Sequence, residues 1–212
     1  MPKSLLGKGF FGDCGEQFGP KVWHSNSQYR RVIWQCNHKF KGDKKCTTPH
    51  LTEDDLKDYS IMALSLLLKN RETLFEDGRL IRVALTDHTE IDAELQKLTE
   101  EFEIVAHMTE NTIATNAITA LDQTEHTKTY ESLTERYQAL QKRYTVLTRQ
   151  KAEKEYKADI LSGFLFEIGE LDVLDAEWSD SRFHAIVDHI TVHNDGRLVF
   201  TFCNGSEDMV MM

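Results

Sequence analysis

The chain has 212 residues, 40% hydrophobic and 28% charged, which allows one large or two small domains with a buried core. Its most apolar run, from Ile61 to Leu68, is far shorter than the roughly 20 residues of a membrane span, and the N-terminal residues lack the apolar core of a signal peptide. Four cysteines, three of them before residue 50, favour thiolates in a reducing cytosol over a disulfide framework.

The net charge of -10 hides a strong segregation of charge along the sequence. Up to Leu51 there are nine Lys or Arg residues and three Asp or Glu residues, whereas the remainder has 16 basic and 32 acidic residues. Such asymmetry predicts an end that binds a polyanion, joined to a part that need not touch it. The alternative is that the basic residues only keep a loop solvated.

Residues 1–48 carry glycines, aromatic residues and β-branched residues in short runs, which is typical of strands and turns. Residues 21–24 and 29–35 are predicted to be strands on either side of a turn. Before them, FGDCG at 11–15 has the form of a zinc knuckle, Cys-Gly-x-Cys-Gly, with Phe11 in the place of the first ligand. A ribbon this small buries little apolar surface, so a bound metal would supply much of its folding free energy.

A helix is predicted after this segment. Thr52 with Asp55 three residues later is a start signal of the N-cap type, and acidic residues suit the first helical turn. An apolar helix is expected to follow through Leu68.

Two heptad patterns are the clearest architectural signal in the chain. They predict a coiled-coil seam made of Ile91, Leu95, Leu98, Phe102, Val105, Tyr130, Leu133, Tyr137, Leu140, Tyr144 and Leu147. Because a weakly periodic tip near 111–125 separates the two patterns, we expect an antiparallel hairpin, about 40 Å long for a helix of about 27 residues. The alternative is two ordinary helices of a compact bundle.

The last part of the chain changes to the alternating period of strands. Residues 186–193 alternate, an Asp195-Gly196 turn follows, and Leu198, Phe200 and Phe202 share one face. This β-hairpin is expected to end at Asn204-Gly205, with a short tail beyond. Because a lone hairpin is marginally stable, it should pack on the strands at the start of the chain. The helical hairpin would then be an insertion into one β domain.

These residues resemble a known family. CGEQFG at 14–19, YRRVIWQC at 29–36 and CTTPHL at 46–51 are similar to the recombinase zinc β-ribbon of large serine recombinases, the integrases and transposon resolvases of phages and mobile elements. VDHITV at 187–192 and DGRLVF at 195–200 resemble the end of that domain, and the heptads resemble its inserted coiled coil.

The resemblance implies an α+β fold, in which a small zinc β-ribbon carries a long antiparallel coiled-coil insertion and is closed by a C-terminal β-hairpin. We expect a ribbon segment at 1–51, a linking helix at 52–79, the coiled-coil arm at 80–158, and a connector with the closing hairpin at 159–212. The expected cofactor is zinc. The resemblance maps its ligands onto Cys14, Cys36 and Cys46, with the fourth position occupied by Phe11. His50, His38 or a water could complete the site.

The implied partners are double-stranded DNA at an attachment site and recombinase subunits, which the coiled coil contacts to control synapsis. DNA contact is predicted at the basic residues of the ribbon, namely Lys21, Arg30, Arg31, Lys39, Lys41, Lys44 and Lys45. No membrane or small-molecule partner is expected, and the location is expected to be the bacterial cytoplasm, at the nucleoid. Because the catalytic serine domain of the family has no counterpart here, we expect no enzymatic activity from this polypeptide alone.

Other motifs are not expected to carry chemistry. The GKGFFG run at 7–12 matches a dinucleotide fingerprint but opens no helix. A metal role is not expected for His189 and His193, and Cys203 is expected to be a small apolar residue of the last strand. Two functions remain open: a DNA-binding and synapsis-control fragment of a recombinase, or a coiled-coil protein that regulates an intact recombinase without needing DNA.

Overall fold

The computed structural model describes residues 9–41, 45–118, 123–171 and 178–212. They form a mixed α+β fold, as predicted. The chain divides into two compact units: Met1–Arg82 with Asp159–Met212, and Val83–Ala158. The second unit is therefore inserted in the chain between the two parts of the first. Within the described residues, no helix combines the length and apolar character needed to cross a membrane.

Seven strands and five helices make up the described part of the chain. In chain order they are β1 (Gly9–Gly12), β2 (Phe18–Trp23), β3 (Arg31–Cys36), β4 (Leu51–Thr52), α1 (Glu53–Leu68), α2 (Arg71–Thr86), α3 (Thr89–Ile118), α4 (Gln123–Glu170), α5 (Asp180–Ile186), β5 (Val187–Val192), β6 (Arg197–Phe202) and β7 (Glu207–Met211).

The two ends of the chain meet in one sheet. Its strand order is β1-β5-β6-β7, with β1 parallel to β5, so that Phe11 lies beside Thr191. The Asp195-Gly196 turn joins β5 and β6 as predicted, and Gly196 has the positive φ of 91° that such a turn requires. The expected tail is wrong: the chain turns again at Gly205 and adds β7 to the sheet. The GKGFFG run opens no helix, since residues 9–12 form β1.

The second sheet has the order β2-β3-β4 and is antiparallel. Phe10 of β1 joins the two sheets: its ring lies 5.4 Å from the ring of Trp34 on β3 and 6.4 Å from the ring of Phe183 on α5. All three rings are buried. Because these aromatic side chains come from the start and the end of the sequence, their burial stabilises the ribbon and the closing strands together.

The predicted helix start is confirmed at α1. Thr52 and Asp55 form a reciprocal capping box, in which the backbone N–H of Asp55 donates to Thr52 Oγ1 at 3.1 Å and the N–H of Thr52 donates to Asp55 Oδ2 at 2.8 Å. The helix ends at Leu68 as expected, and its buried side includes Leu56 and Leu64. Residues 52–79 are not one helix, however, because α2 begins separately at Arg71.

In the inserted unit, α3 and α4 form the predicted antiparallel hairpin. Its buried seam comprises Leu98, Val105, Leu133, Leu140 and Leu147, with Ile91, Leu95 and Phe102 packed against it. Tyr137 and Tyr144 lie at the margin of the seam, where each makes an edge-on contact with Phe102. Tyr130, also predicted for the seam, is exposed. The predicted tip at 111–125 is too wide, because helix continues to Ile118 and resumes at Gln123.

Ion pairs join the two helices of this hairpin on its surface. Arg143 binds Glu94 through two hydrogen bonds of 2.7 and 2.9 Å, and Lys151 Nζ lies 2.7 Å from Asp92 Oδ1. Both pairs are exposed to solvent, where water screens the attraction between their charges. We therefore attribute the stability of the hairpin mainly to its apolar seam.

Substitutions at two neighbouring residues of α4 would test whether the apolar seam stabilises the hairpin. Leu147 is 3% exposed and Val146 is 46% exposed. Leu147→Ala should lower the free energy of unfolding of the helical hairpin by about 2–5 kcal/mol, because it removes buried methyl groups and leaves a cavity. Val146→Ala should change it by less than about 0.5 kcal/mol. Thermal unfolding followed by circular dichroism would measure both, and equal losses would contradict the assigned seam.

Candidate metal centre and nucleic-acid surface

Cys14 lies in a tight turn between β1 and β2. The turn is closed by backbone hydrogen bonds from Gly15 N–H to the carbonyl of Gly12, at 2.9 Å, and from Gly12 N–H to the carbonyl of Glu16, at 3.0 Å. Gly15 takes a positive φ of 74°, a conformation that glycine adopts without the steric cost of a Cβ. The turn leaves Cys14 exposed.

Cys36 and Cys46 approach Cys14 from other parts of the ribbon. Cys36 ends β3 and is buried, and a second turn follows it, in which the N–H of His38 donates to Cys36 Sγ at 3.3 Å. The Sγ of Cys46 lies 3.0 Å from Thr48 Oγ1, and Thr48 is itself fully buried. Polar hydrogens directed at sulfur favour the thiolate, which is the form that binds metal.

The three sulfur atoms form one cluster. Their Sγ atoms all lie within 4.8 Å of one another, and those of Cys14 and Cys36 are 3.4 Å apart. A tetrahedral zinc ion with bonds of about 2.3 Å holds its sulfur ligands about 3.8 Å apart, so small side-chain rotations would fit the three cysteines to three corners. The predicted ligand set of three cysteines is thus brought together, as an incomplete zinc site.

Without metal, the cysteines of this cluster differ in acidity. Burial raises the pKa of Cys36 to about 12, and the neighbouring thiols add to the effect. Burial also acts to raise the pKa of Cys46, but hydrogen bonds from the hydroxyl and backbone of Thr48 outweigh it and leave that pKa below its ordinary value. Cys46 therefore loses its proton more readily than Cys36, and metal binding must displace the proton of Cys36.

Phe11 does not face the cysteines. Its ring lies 5.9 Å from the ring of His189 on the outer face of the sheet. Because side chains alternate along a strand, Gly12 faces the other way. A Cβ added to Gly12 would lie 3.4 Å from Cys46 Sγ and 3.2 Å from the ring of Phe18. Gly12, Phe18 and Thr48 thus close the cluster on its inner side.

The histidines considered as a fourth ligand lie elsewhere. The ring of His50 packs on Trp23, with centroids 4.9 Å apart, and His38 meets the cluster through its backbone N–H. Among the described residues, no His, Asp or Glu donor atom joins the three sulfurs. His189 and His193 are also separate from the cluster: His189 Nδ1 lies 2.9 Å from Asp188 Oδ2, and His193 binds Asp13.

Asp13 connects the turn of Cys14 to the end of the chain, which the sequence reasoning missed. Its carboxylate accepts the backbone N–H of Asn194 at 2.6 Å and also contacts the ring of His193. Both partners lie in the turn between β5 and β6. A charged side chain next to a candidate ligand thus fastens the metal turn to the closing hairpin. No local pattern in the sequence could have predicted a contact between residues 13 and 194, because they are so far apart in the chain.

The predicted DNA-binding residues fall into two groups. The side chains of Lys21 and Lys39 form hydrogen bonds within the ribbon. Lys21 Nζ donates to Asn37 Oδ1 at 2.9 Å, and Lys39 Nζ donates to the carbonyl of Thr48 at 2.6 Å. Four others are exposed, namely Arg30, Arg31, Lys41 and Lys45. Lys44 lies outside the described residues. Cations already bound to protein oxygens are less available to phosphate, so the exposed group is the better candidate for DNA contact.

Arg31 belongs to an aromatic surface that the sequence reasoning did not identify. Its guanidinium lies 5.4 Å from the centre of the Trp23 ring, which contacts the ring of His50 at an interplanar angle of 45°. Trp23 itself is half-buried. Arg30 lies in the turn before β3, although residues 29–35 were predicted to be a strand.

The comparison with protein families agrees with this geometry. Residues 8–65 match the model of the recombinase zinc beta ribbon domain. This range includes all three clustered cysteines and extends into α1. It covers about a quarter of the chain and identifies a recombinase-related zinc ribbon there. Comparison with curated proteins and with solved structures gave no match.

Zinc binding by the cluster can be tested through pH and mutation. Because binding displaces protons from thiols such as Cys36, the affinity for zinc should rise with pH and fall on acidification from about pH 8 to about pH 6. Cys36→Ser should abolish stoichiometric zinc and lower the melting temperature of the ribbon. Competition with a chromophoric chelator and metal analysis of the purified chain measure these effects.

Cys203→Ser is the matched control, because Cys203 follows β6 and does not belong to the cluster. It should leave zinc content and its pH dependence unchanged. Zinc absent from the wild-type chain, or equal zinc content in the Cys36 and Cys203 variants, would contradict the assigned site.

Proposed function

We propose that this chain is a DNA-binding and synapsis-control part of a site-specific serine recombinase. The observation that carries the proposal is the recombinase zinc ribbon at residues 8–65, with its cysteine cluster assembled in the fold. A ribbon of this family suggests a recombinase-related role in binding DNA. The segregation of basic charge into the first 51 residues supports the same role.

The exposed side of the ribbon supplies suitable groups for DNA. Arg31 lies over the half-buried ring of Trp23 at the end of the β2–β3 hairpin where the loop 24–30 joins the two strands, and Arg30 is the last residue of that loop. Guanidinium groups pair with phosphate oxygens and also stack on rings, so an arginine resting on tryptophan is held extended toward a ligand. We assign contact with the phosphate backbone to this end of the hairpin, and to Lys41 and Lys45.

In this proposal the chain does not perform strand exchange itself. The nucleophilic serine would be supplied by a separate catalytic domain. The protein acts at DNA, in the cytoplasm of a bacterium. The partners are double-stranded DNA at an attachment site and recombinase subunits, with no small-molecule substrate.

DNA binding by the arginines is tested with duplex DNA at low salt. The double variant Arg30→Ala, Arg31→Ala should weaken binding and reduce the slope of log affinity against log salt by about 0.9 for each phosphate that is no longer neutralised. Arg79→Ala removes the same type of charge from the exposed side of α2 and serves as the control. If the double variant and the control bind DNA alike, the assigned surface is wrong.

A second function rests on the helical hairpin. The exposed Ile104 and Met108 line a shallow groove on α3, together with Glu100, Glu103 and His107. Apolar side chains with an acidic border are typical of a surface that a protein partner covers. In this alternative the hairpin binds an intact recombinase and regulates it, whether or not the ribbon holds DNA.

Substitutions at two isoleucines of α3 would test whether this groove binds a recombinase. Ile104 and Ile113 are each 52% exposed, and nine residues at about 100° per residue place them on opposite sides of the helix. Ile104→Ser should weaken binding to a full-length serine recombinase, whereas Ile113→Ser should not. Sedimentation or a pull-down assay measures the difference. Loss of binding with both variants, or with neither, would argue against a groove centred on Ile104.

A further inference from the structure

We propose that zinc at the three-cysteine cluster keeps one coordination position open toward solvent, and that this position binds an external sulfur donor, a small thiolate. The ion would then be held as in an accessible site rather than in a closed structural one. The inference concerns the ligands of the ion and does not depend on the DNA-binding or the regulatory role proposed above.

The first support is the composition of the donor set. Structural zinc sites are closed by four protein ligands, whereas sites with three protein ligands keep a fourth position for water or a substrate. Here three sulfurs converge, and no fourth His, Asp or Glu donor from the described residues joins them. Phe11, at the position of the missing ligand in the sequence pattern, turns its ring to His189 instead.

The second support is that the cluster is closed on one side and open on the other. Gly12, Phe18 and Thr48 pack behind the sulfurs, where even an added Cβ at Gly12 would come within 3.4 Å of Cys46 Sγ. On the other side Cys14 is exposed, and no described atom lies within 4 Å of a Cβ built on Gly15. A small ligand can therefore approach from the side of Cys14 and Gly15.

The third support is electrostatic. A fourth thiolate brings zinc and its ligands to a net charge of about -2, which needs nearby positive charge. Lys45 precedes Cys46 and is exposed. Lys39 Nζ donates to the carbonyl of Thr48, whose hydroxyl lies 3.0 Å from Cys46 Sγ. These two lysines offset part of that charge, whereas the carboxylate of Asp13, beside Cys14, is held by Asn194 and His193 in the turn between β5 and β6. No bond other than the metal–sulfur bond forms, and the thiol loses its proton to solvent.

Cobalt(II) in place of zinc makes the coordination visible, because zinc has a filled d shell and no ligand-field bands. The full chain loaded with cobalt should show the charge-transfer intensity of three thiolates. Titration with 2-mercaptoethanol should raise that intensity by about one third, as three sulfur ligands become four, and shift the visible bands. Metal analysis after gel filtration must show that the cobalt stays on the protein.

Variants that add a protein thiolate are the matched controls. Gly12→Cys directs a thiol at the cluster from the inner side, whereas Phe11→Cys adds a thiol on the face toward His189 and should respond as the parent chain does. A variant that closes the site should start at four-thiolate intensity and should not respond to the added thiol. Gly12→Cys should also have a higher melting temperature in zinc than the parent chain. Because this variant crowds the ring of Phe18, the response of the parent chain to added thiol is the deciding measurement if the variant does not fold.

Three results would overturn the inference. One is a parent-chain spectrum that His38→Ala changes before any thiol is added, because a donor within the chain would then fill the fourth position. The second is a cobalt spectrum that added thiol does not change. The third is removal of the ion by the thiol, or no ion bound at all. Duplex DNA binding measured on the same samples separates these outcomes from failure of the DNA-binding proposal.

Discussion

The pairing of β1 with β5 is the constraint on which the rest of the first unit depends. These strands come from opposite ends of the sequence and lie parallel, so no short turn could have joined them and a long crossover is required. Once they pair, Phe10 is fixed between Trp34 and Phe183, and the two sheets share one apolar core. The turn that bears Cys14 follows β1 directly, so its position is set by the same pairing.

The cysteine cluster adds a second constraint, which comes from chemistry rather than from apolar burial. Three sulfurs from three separate segments lie within 4.8 Å of one another. Close thiolates repel one another and are stabilised by a cation, so the fold is arranged for an ion that it must bind to reach full stability. The difference in pKa between Cys36 and Cys46 shows that Thr48 and burial already divide the cluster into unequal ligands.

Much of this arrangement could be predicted from the sequence. Heptad spacing identified the seam from Ile91 to Leu147, and the Thr52 capping signal located the start of α1, because both depend on near neighbours in the chain. β1 and β7 were missed as strands. Each is a short strand at the edge of the sheet, and its pairing depends on distant partners that local patterns do not encode. The contact of Asp13 with Asn194 could not be predicted for the same reason.

The parallel pairing of β1 with β5 also determines when the sheet can form during translation. β1 leaves the ribosome roughly 175 residues before its partner β5, which at about 5–20 residues per second is a wait of roughly 10–35 s. During that interval β2, β3 and β4 are complete, so the nascent chain already holds its three thiols while its first strand still lacks a neighbour. A cation captured at this stage would already join the turn after β1 to Cys36 and Cys46 before β5 is made.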